Sequence, residues 1–271
     1  MDNRPIGVFD SGLGGLTAVK KLKEVLPGED IVYFGDTGRV PYGGRSRETI
    51  IRYTQQDIAF LLSMDIKAII VACGTATTNA LDYVKDSCPV PIYGVADPAA
   101  KRAAEITKNK KVGLIGTEAS IRSGAYERLI CRYDSDIEMT GVGCPLIVPM
   151  VEEGRISRDD KILYHTVEEY LTPLKEKGVD TLIMGCTHYP IISDVIGDIM
   201  GEGVALIDPG AEAAKLMKEE LTALELLNDQ ERQALSVYYV SDVVYEFTKT
   251  ASIFLGENVD DITIRIDIEH Y

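Results

Sequence analysis

The chain has few of the features that mark secreted, membrane-spanning or metal-binding proteins. Its 271 residues include five cysteines and three histidines. The cysteines form no closely spaced pair and the histidines do not cluster, which disfavours a disulfide scaffold and a metal site. No apolar run approaches the roughly 20 residues of a membrane-spanning helix, and no signal peptide precedes the first strand pattern. We therefore expect a protein of the reducing cytoplasm that has no metal and no membrane partner.

Positive charge is also scarce. The 28 Lys and Arg residues against 43 Asp and Glu residues give a formal net charge of −15. This excess of negative charge disfavours nucleic acid as a partner. An anionic small molecule must then be held by local donors, such as the free N–H groups at helix starts. The length and a hydrophobic content of 45% suit two compact α/β lobes.

Strand-like apolar runs alternate with helical patterns along the chain. The predicted strands are Ile6–Phe9, Ile31–Phe34, Ala68–Ala72, Ile92–Val95, Val112–Ile115, Thr181–Met184, Ala205–Ile207, Val237–Val240 and Ile262–Ile266. The main predicted helices are Leu16–Val25, Thr49–Met64, Ala99–Thr107 and Ala211–Leu224. The alternation predicts an α/β fold with mainly parallel sheets flanked by helices. In such sheets, ligands bind beyond the carboxyl ends of the strands.

The order of these elements repeats within the chain. Ile6–Ser11 resembles Val112–Thr117, and Ala96–Pro98 resembles Ile207–Pro209. Matches in the same order at nearly constant separation indicate two similar lobes. We expect residues 98–208 to form the second lobe. We expect residues 1–97 to form the first lobe, which residues 209–271 complete.

Two cysteines occupy equivalent places in these lobes. Cys73 follows the apolar run Ala68–Ala72, and Cys186 follows Thr181–Gly185. A lone cysteine with apolar flanks is usually a small buried side chain. Equivalent placement in both repeats instead indicates two proton-transfer groups that face one carbon from opposite sides. The start of a helix lowers a thiol pKa from its usual value of about 8.5, and His188 could exchange a proton with Cys186.

Three loops are candidates for the rest of the site. Asp10–Gly15 lacks the spacing of a dinucleotide-binding loop and the ending of a phosphate-binding loop. It is either a loop that binds a small anion or a tight turn capped by Asp10 and Ser11. Val40–Gly44 follows the second strand and so reaches the same sheet edge, unless it is an ordinary turn. Glu152 lies in the corresponding loop of the second lobe. It is either part of the site or an ordinary solvated side chain.

Taken together, these segments resemble the glutamate racemase family, part of the cofactor-independent aspartate/glutamate racemase superfamily. The resemblance covers essentially the whole chain. It is carried by Val8–Gly15, Gly35–Thr37, Val40–Gly43, Ala72–Ala76, Ser123–Tyr126 and Gly185–Pro190.

The resemblance implies a two-lobe α/β fold with the active site in the cleft between the lobes. It also implies interconversion of L-glutamate and D-glutamate without a cofactor, supplying D-glutamate for bacterial peptidoglycan. It implies that Cys73 removes the α-proton of D-glutamate and Cys186 that of L-glutamate. Asp10 and His188 would assist them, with Glu152 as a further candidate, and the chain would form a homodimer. The implied substrate contacts are Asp10, Ser11, Pro41, Tyr42, Gly43, Gly74, Thr75, Thr117, Thr187 and His188.

Two positions depart from the family pattern. Gly74 stands where the family usually has Asn, and Ala119-Ser120 stands where Gly-Thr is common. The change at Gly74 removes a side-chain amide that would contact the substrate, so it bears on substrate choice. An aspartate racemase or another dicarboxylate isomerase or lyase of the superfamily is the alternative. A non-catalytic protein that closes two lobes on a small acid is a third possibility.

Overall fold

Two parallel sheets flanked by helices make up the protein, as seen in a computed structural model that describes residues 1–230, 232–256 and 258–271. The strands are β1 (Ile6–Asp10), β2 (Ile31–Gly35), β3 (Ala68–Val71), β4 (Ile92–Gly94), β5 (Lys111–Gly116), β6 (Glu138–Gly143), β7 (Thr181–Met184), β8 (Ala205–Ile207), β9 (Ser236–Val240) and β10 (Thr263–Arg265). The predicted fold class is confirmed.

Helices cover both sheets. They are α1 (Leu16–Val25), α2 (Arg47–Ser63), α3 (Gly74–Asn79), α4 (Leu81–Val84), α5 (Ala96–Ile106), α6 (Glu118–Ser123), α7 (Ala125–Tyr133), α8 (Ile147–Glu152), α9 (Lys161–Lys177), α10 (Ser193–Met200), α11 (Pro209–Ala223) and α12 (Val244–Leu255). Short 3-10 turns occur at Tyr42–Gly44, Lys85–Ser87, Tyr189–Ile192, Asp260–Ile262 and Ile268–His270. Within the described ranges, no helix has the length and apolar character needed to span a bilayer.

The six-stranded sheet has the order β10-β9-β2-β1-β3-β4, and the four-stranded sheet has the order β6-β5-β7-β8. The central strands β1, β2 and β3 are buried along their whole length. Continuous apolar runs of this kind are expected where helices cover both faces of a parallel sheet. The chain returns to the first sheet through β9, which pairs with β2. The division into residues 1–97 plus 209–271 and residues 98–208 stays a prediction.

One strand was not predicted. β6 lies at an edge of the four-stranded sheet, and most of its residues are only half-buried. Its sequence contains Gly141 and Gly143, and glycine has low strand propensity. The sequence of β6 therefore has only a weak strand pattern, and the strand forms because it pairs with β5.

A buried ion pair joins the amino-terminal ends of the strands in the first sheet. Lys67 Nζ lies 2.6 Å from Glu29 Oε2, and both side chains are at most 2% exposed. The ammonium also donates to the carbonyl groups of Asp2 and Leu226, each at 2.7 Å. The other oxygen of Glu29 accepts from the backbone N–H of Asn228 at 2.8 Å. The pair thus ties the segment after α11 to the start of the chain.

Replacing Lys67 with Met should lower the free energy of unfolding by about 3–5 kcal/mol, because it leaves the Glu29 carboxylate buried without its partner. Urea denaturation measures the change. The matched control is Lys85→Met, whose pair with Asp82 at 2.8 Å is exposed and should contribute about 0–1 kcal/mol. Equal effects of the two substitutions would contradict the prediction.

Candidate active site

A cavity of about 440 Å³ lies at the carboxyl ends of the strands, between the two sheets. Cys73 follows β3 and Cys186 follows β7, and both line the cavity. Of the predicted site residues, the lining contains Ser11, Pro41, Tyr42, Gly43, Cys73, Gly74, Thr75, Thr117, Glu152, Cys186, Thr187 and His188. The structure therefore brings residues from both repeats together around one space.

Cys73 sits at the start of α3. Its Sγ accepts a hydrogen bond from the backbone N–H of Ala76 at 3.4 Å and lies 3.3 Å from Ser11 Oγ. Burial raises the pKa of the Cys73 thiol to about 12, and the nearby Asp10 carboxylate adds to the shift. The expectation of a lowered pKa for this thiol is therefore wrong, since loss of solvation outweighs the hydrogen bonds at the helix start.

Cys186 belongs to a chain of three side chains. Its Sγ lies 3.8 Å from His188 Nδ1, and His188 Nε2 lies 2.9 Å from Glu152 Oε1. Burial alone would lower the pKa of His188, but the contacts with Cys186 and Glu152 more than offset it and raise the pKa to about 10. The ring of Phe254 packs edge-on against the imidazole, with centroids 5.7 Å apart. The imidazole is thus fixed between a thiol and a carboxylate.

Asp10 lies behind the cavity wall. It is 1% exposed and is not among the described residues that line the cavity. Its carboxylate accepts from the backbone N–H of Gly12 at 2.9 Å, and Thr187 Oγ1 lies 3.4 Å from it. Burial raises the pKa of Asp10, and the positive charge of His188 opposes the shift. Asp10 therefore reaches the cavity through Thr187.

Hydroxyl groups connect the two sides of the cleft. Thr75 Oγ1 and Thr117 Oγ1 are 2.9 Å apart. Thr117 also donates to Ser120 Oγ at 3.0 Å. From α1, Thr17 Oγ1 donates to the carbonyl of Thr187, which lines the cavity, at 3.0 Å. These contacts hold hydroxyl groups of both lobes at the cavity wall.

Tyr42 lines the cavity, but its hydroxyl group is already engaged. The side chain is 1% exposed. Its Oη lies 2.5 Å from Asp36 Oδ2 and 2.9 Å from Asp57 Oδ2. A molecule in the cavity can therefore contact the ring or the backbone of Tyr42 but not its hydroxyl group.

The potential metal ligands at the cavity wall are not arranged to hold a metal ion. The described residues contain no group of three or more His, Cys, Asp or Glu side chains that could hold a metal ion. Sulfur, imidazole and carboxylate groups do occur together at Cys186, His188 and Glu152, but both ring nitrogens of His188 are engaged by the other two side chains. The arrangement suits proton transfer along a chain.

The chain is similar in sequence and in structure to racemases. Residues 6–217 match the Asp/Glu/Hydantoin racemase family. The chain belongs to this family. It is 45% identical over 259 residues to the glutamate racemase of Geobacter metallireducens, covering 96% of this chain and 95% of that protein. The crystal structure of glutamate racemase from Francisella tularensis in complex with D-glutamate is 39% identical and covers 100% of both chains, with a TM-score of 0.92.

A second structure is similarly close. The crystal structure of glutamate racemase from Thermus thermophilus in complex with beta-chloro-D-alanine is 40% identical over 100% of both chains, with a TM-score of 0.90. The predicted resemblance is therefore confirmed, as is the prediction that the chain is a racemase.

Several residues of the racemase cavity were missed by sequence reasoning. They are Glu118, Cys144, Pro145, Val148, Pro149 and Gly185. Cys144, Pro145, Val148 and Pro149 lie between the end of β6 and α8 or within α8. Recognition of β6 as a strand would have predicted that the segment after it reaches the same sheet edge.

Gly74 lies where the two halves of this racemase approach each other closely. A Cβ atom added at Gly74 would lie 2.4 Å from the carbonyl oxygen of Gly185, the residue before Cys186. Real Cβ atoms do not approach a backbone oxygen this closely, so one of the two backbones would have to move. The absence of a side chain at Gly74 therefore lets the two cysteine-bearing segments meet.

Gly74→Ala should push these segments apart, with a loss of about 1–3 kcal/mol in unfolding free energy from overpacking and a lower kcat. Thermal unfolding and racemase assays measure the two effects. The matched control is Gly203→Ala, where an added Cβ meets nothing within 4 Å. If Gly74→Ala keeps wild-type activity and stability, the close contact between the two cysteine-bearing segments is not required.

His188 should make stability depend on pH. Its pKa is raised from 6.5 to about 10, so its contribution is complete below about pH 6.5 and is lost as pH rises through about 10. The difference in unfolding free energy between wild type and His188→Gln should therefore shrink between these pH values. Urea denaturation at several pH values tests this.

The control for this pH dependence is Glu152→Gln. It keeps the shape of the side chain but removes the charge that helps to raise the pKa of His188. In Glu152→Gln, the stabilising contribution of His188 should therefore be lost at a lower pH than in the wild type. A difference between wild type and His188→Gln that stays constant with pH would contradict the assignment.

Proposed function

We propose that the protein interconverts L-glutamate and D-glutamate without a cofactor, using Cys73 and Cys186 as the two proton-transfer groups. The observation that carries this proposal is the placement of the two thiols. They follow equivalent strands of the two sheets and line one cavity. Inversion at an α-carbon requires a proton acceptor on one face and a proton donor on the other, and the cleft offers one thiol from each side.

The acidic substrate would be bound without a basic side chain other than His188. Among the described residues that line the cavity, none is Lys or Arg. Hydroxyl groups of Ser11, Thr75 and Thr117 and nearby backbone N–H groups are the available donors. Such fixed donors can stabilise negative charge as it moves onto the α-carboxylate in the transition state. They therefore supply both binding and part of the catalysis.

In the proposed reaction, the C–H bond at the α-carbon breaks as an S–H bond forms on one face. The resulting carbanion has no electron sink such as pyridoxal phosphate. It is protonated from the opposite face, where an S–H bond breaks as the new C–H bond forms. The family resemblance assigns the α-proton of D-glutamate to Cys73 and that of L-glutamate to Cys186. The two thiols exchange protonation states in each turnover and so form a coupled pair.

The surroundings of the two thiols differ, which supports different assisting groups. Beside Cys186, the 3.8 Å contact lets His188 accept or return the thiol proton, and Glu152 orients the imidazole. Beside Cys73, Ser11 Oγ lies at 3.3 Å. Because burial raises the pKa of Cys73 to about 12, its thiolate forms only with help from such neighbours. Asp10 is the candidate carboxylate, because its charge acts on the Cys73 thiol. That charge disfavours the thiolate, so Asp10 would assist as the acceptor of the thiol proton.

The central test is solvent exchange. Purified protein in heavy water, with no added cofactor, should introduce deuterium at the α-carbon of glutamate and convert either enantiomer to the racemate. Proton NMR follows exchange and circular dichroism follows inversion. A panel that includes aspartate and small dicarboxylates decides the substrate, since Gly74 departs from the family at the substrate-binding edge.

Cys73→Ala and Cys186→Ala should each abolish racemisation, because either change leaves one face without a proton carrier. Cys88→Ala is the matched control, since Cys88 is outside the described cavity lining. Full racemisation by either catalytic variant would refute the two-thiol assignment. Glutamate binding with no exchange on any acid would instead identify a non-catalytic binding protein.

We also propose that the D-glutamate produced supplies peptidoglycan synthesis. The relatives named above are glutamate racemases of bacteria. Expression of the chain in a bacterium that lacks its own glutamate racemase should restore growth without added D-glutamate, and the Cys186→Ala variant should not. The homodimer and the cytoplasmic location stay predictions.

A further inference from the structure

A buried polar cluster holds the loop at residues 40–44, which contributes five residues to the cavity wall. Tyr42 Oη contacts two carboxylates, Asp36 at 2.5 Å and Asp57 at 2.9 Å. Arg39 also contacts both, with Nε 2.6 Å from Asp36 and Nη2 3.1 Å from Asp57. The side chains of Asp36 and Asp57 are fully buried. The loop is thus anchored to α2 by charged and hydrogen-bonded groups.

The hydrogen bonds of this cluster require one proton more than Tyr42 supplies. The phenol has a single proton, which can lie in only one of its two contacts with Asp36 and Asp57. The other contact would bring a phenol oxygen against a carboxylate oxygen with no proton between them. Two buried carboxylates beside a single Arg39 also leave one negative charge uncompensated, which is costly in the interior. One added proton satisfies both the hydrogen bonds and the charge balance.

The partners of the two carboxylates indicate where this proton lies. Asp36 accepts from Ser241 Oγ at 2.8 Å as well as from Arg39 at 2.6 Å, as an ionised carboxylate would. Among the described residues, Asp57 contacts Tyr42 and, at the longer distance of 3.1 Å, Arg39. A proton on Asp57 Oδ2 can be donated to Tyr42 Oη, and Tyr42 then donates to Asp36. The chain of donors runs in one direction from Asp57 to Asp36.

We propose that Asp57 is a positioning residue held as a neutral carboxylic acid, and that its proton fixes Tyr42 and thereby the loop 40–44 against the substrate. The inference rests on the proposed function, because it takes Pro41 and Gly43 of this loop as substrate contacts. Asp57 is not a catalytic residue. It acts on the substrate only through Tyr42.

The electrostatic surroundings agree with this geometry. Burial raises the pKa of Asp57 well above its usual range, the Asp36 carboxylate raises it further, and Arg39 opposes the shift. Burial likewise raises the pKa of Tyr42, so the phenol keeps its proton. The other charged or titratable groups that face the cluster are Asp10, which acts on Asp57 from β1, and Tyr53 and Glu269, which contact Arg39 from α2 and the C-terminal turn.

Loss of the Asp57 proton at alkaline pH should therefore weaken substrate binding. Deprotonation creates a second buried anion, breaks the donation to Tyr42 and frees the loop. KM for both enantiomers should rise with pH. The pH dependence of kcat should instead reflect the protonation states of the two thiols and His188. In Asp57→Asn, the amide can still donate to Tyr42 and accept from Arg39, but it cannot ionise. This variant should keep a low KM at neutral pH and lose the alkaline rise.

Two other variants should raise KM at neutral pH, where Asp57→Asn keeps it low. Asp57→Ala and Tyr42→Phe each remove the donor chain, and each should raise KM roughly tenfold with little change in kcat. Should Asp57→Ala not fold, Tyr42→Phe removes the same contact. Asp82→Ala, at an exposed aspartate, is the control for a lost carboxylate. A KM for Asp57→Asn as high as that of Asp57→Ala, or an unchanged KM in both Asp57→Ala and Tyr42→Phe, would overturn the inference.

A second measurement separates this inference from the proposed reaction. The infrared difference spectrum of wild type minus Asp57→Asn at neutral pH should contain the C=O band of a protonated carboxyl group. It needs no substrate, so it reports on the cluster even if the chain does not act on glutamate. A difference spectrum that shows only ionised carboxylate would refute the neutral Asp57, whatever the outcome of the racemase assays.

Discussion

The site depends on the close contact between the carboxyl edges of two separate parallel sheets. Each sheet ends in a segment that carries one cysteine, and these segments meet where Gly74 faces the carbonyl group of Gly185. Nothing larger than a hydrogen atom fits at Gly74 without moving a backbone. The two thiols, the hydroxyl groups between them and the cavity itself are consequences of this contact, because each lobe contributes only half of the wall.

Burial is the second constraint, and it acts differently on the two sides of the cleft. Near Cys73, it raises the thiol pKa, and the adjacent Asp10 adds to the effect. Near Cys186, His188 is equally buried, yet its contacts with the thiol and with Glu152 favour the protonated imidazole. Equivalent positions in an internal repeat have therefore acquired unequal surroundings. In the proposed reaction each direction begins from a different thiol, so the two directions would meet these unequal surroundings.

Much of this molecule was predictable, and the parts that were not share a physical cause. The limits of α1, β7 and β8 follow from their apolar periodicity alone. The edge strand β6 was missed because its glycines and half-buried residues carry little local signal. Glu152 was named as a candidate in the segment after β6, but the rest of that segment was not. For the same reason, the cavity residues around Pro145 and Val148 were not predicted. The prediction of a lowered pKa for the Cys73 thiol was wrong because the sequence indicates where a helix begins but not how deeply the thiol is buried.

The sequence by itself determined the alternation of strands and helices, the internal repeat, and the two equivalent cysteines at strand ends. These depend on local periodicity and on residue identity, which the chain carries without reference to its fold. Only the tertiary structure decided that Asp10 stands behind Thr187, that the Tyr42 hydroxyl is bound by Asp36 and Asp57, and that Gly74 touches the opposite lobe. The reason is that hydrogen-bond partners and solvation are set by contacts between residues far apart in the chain.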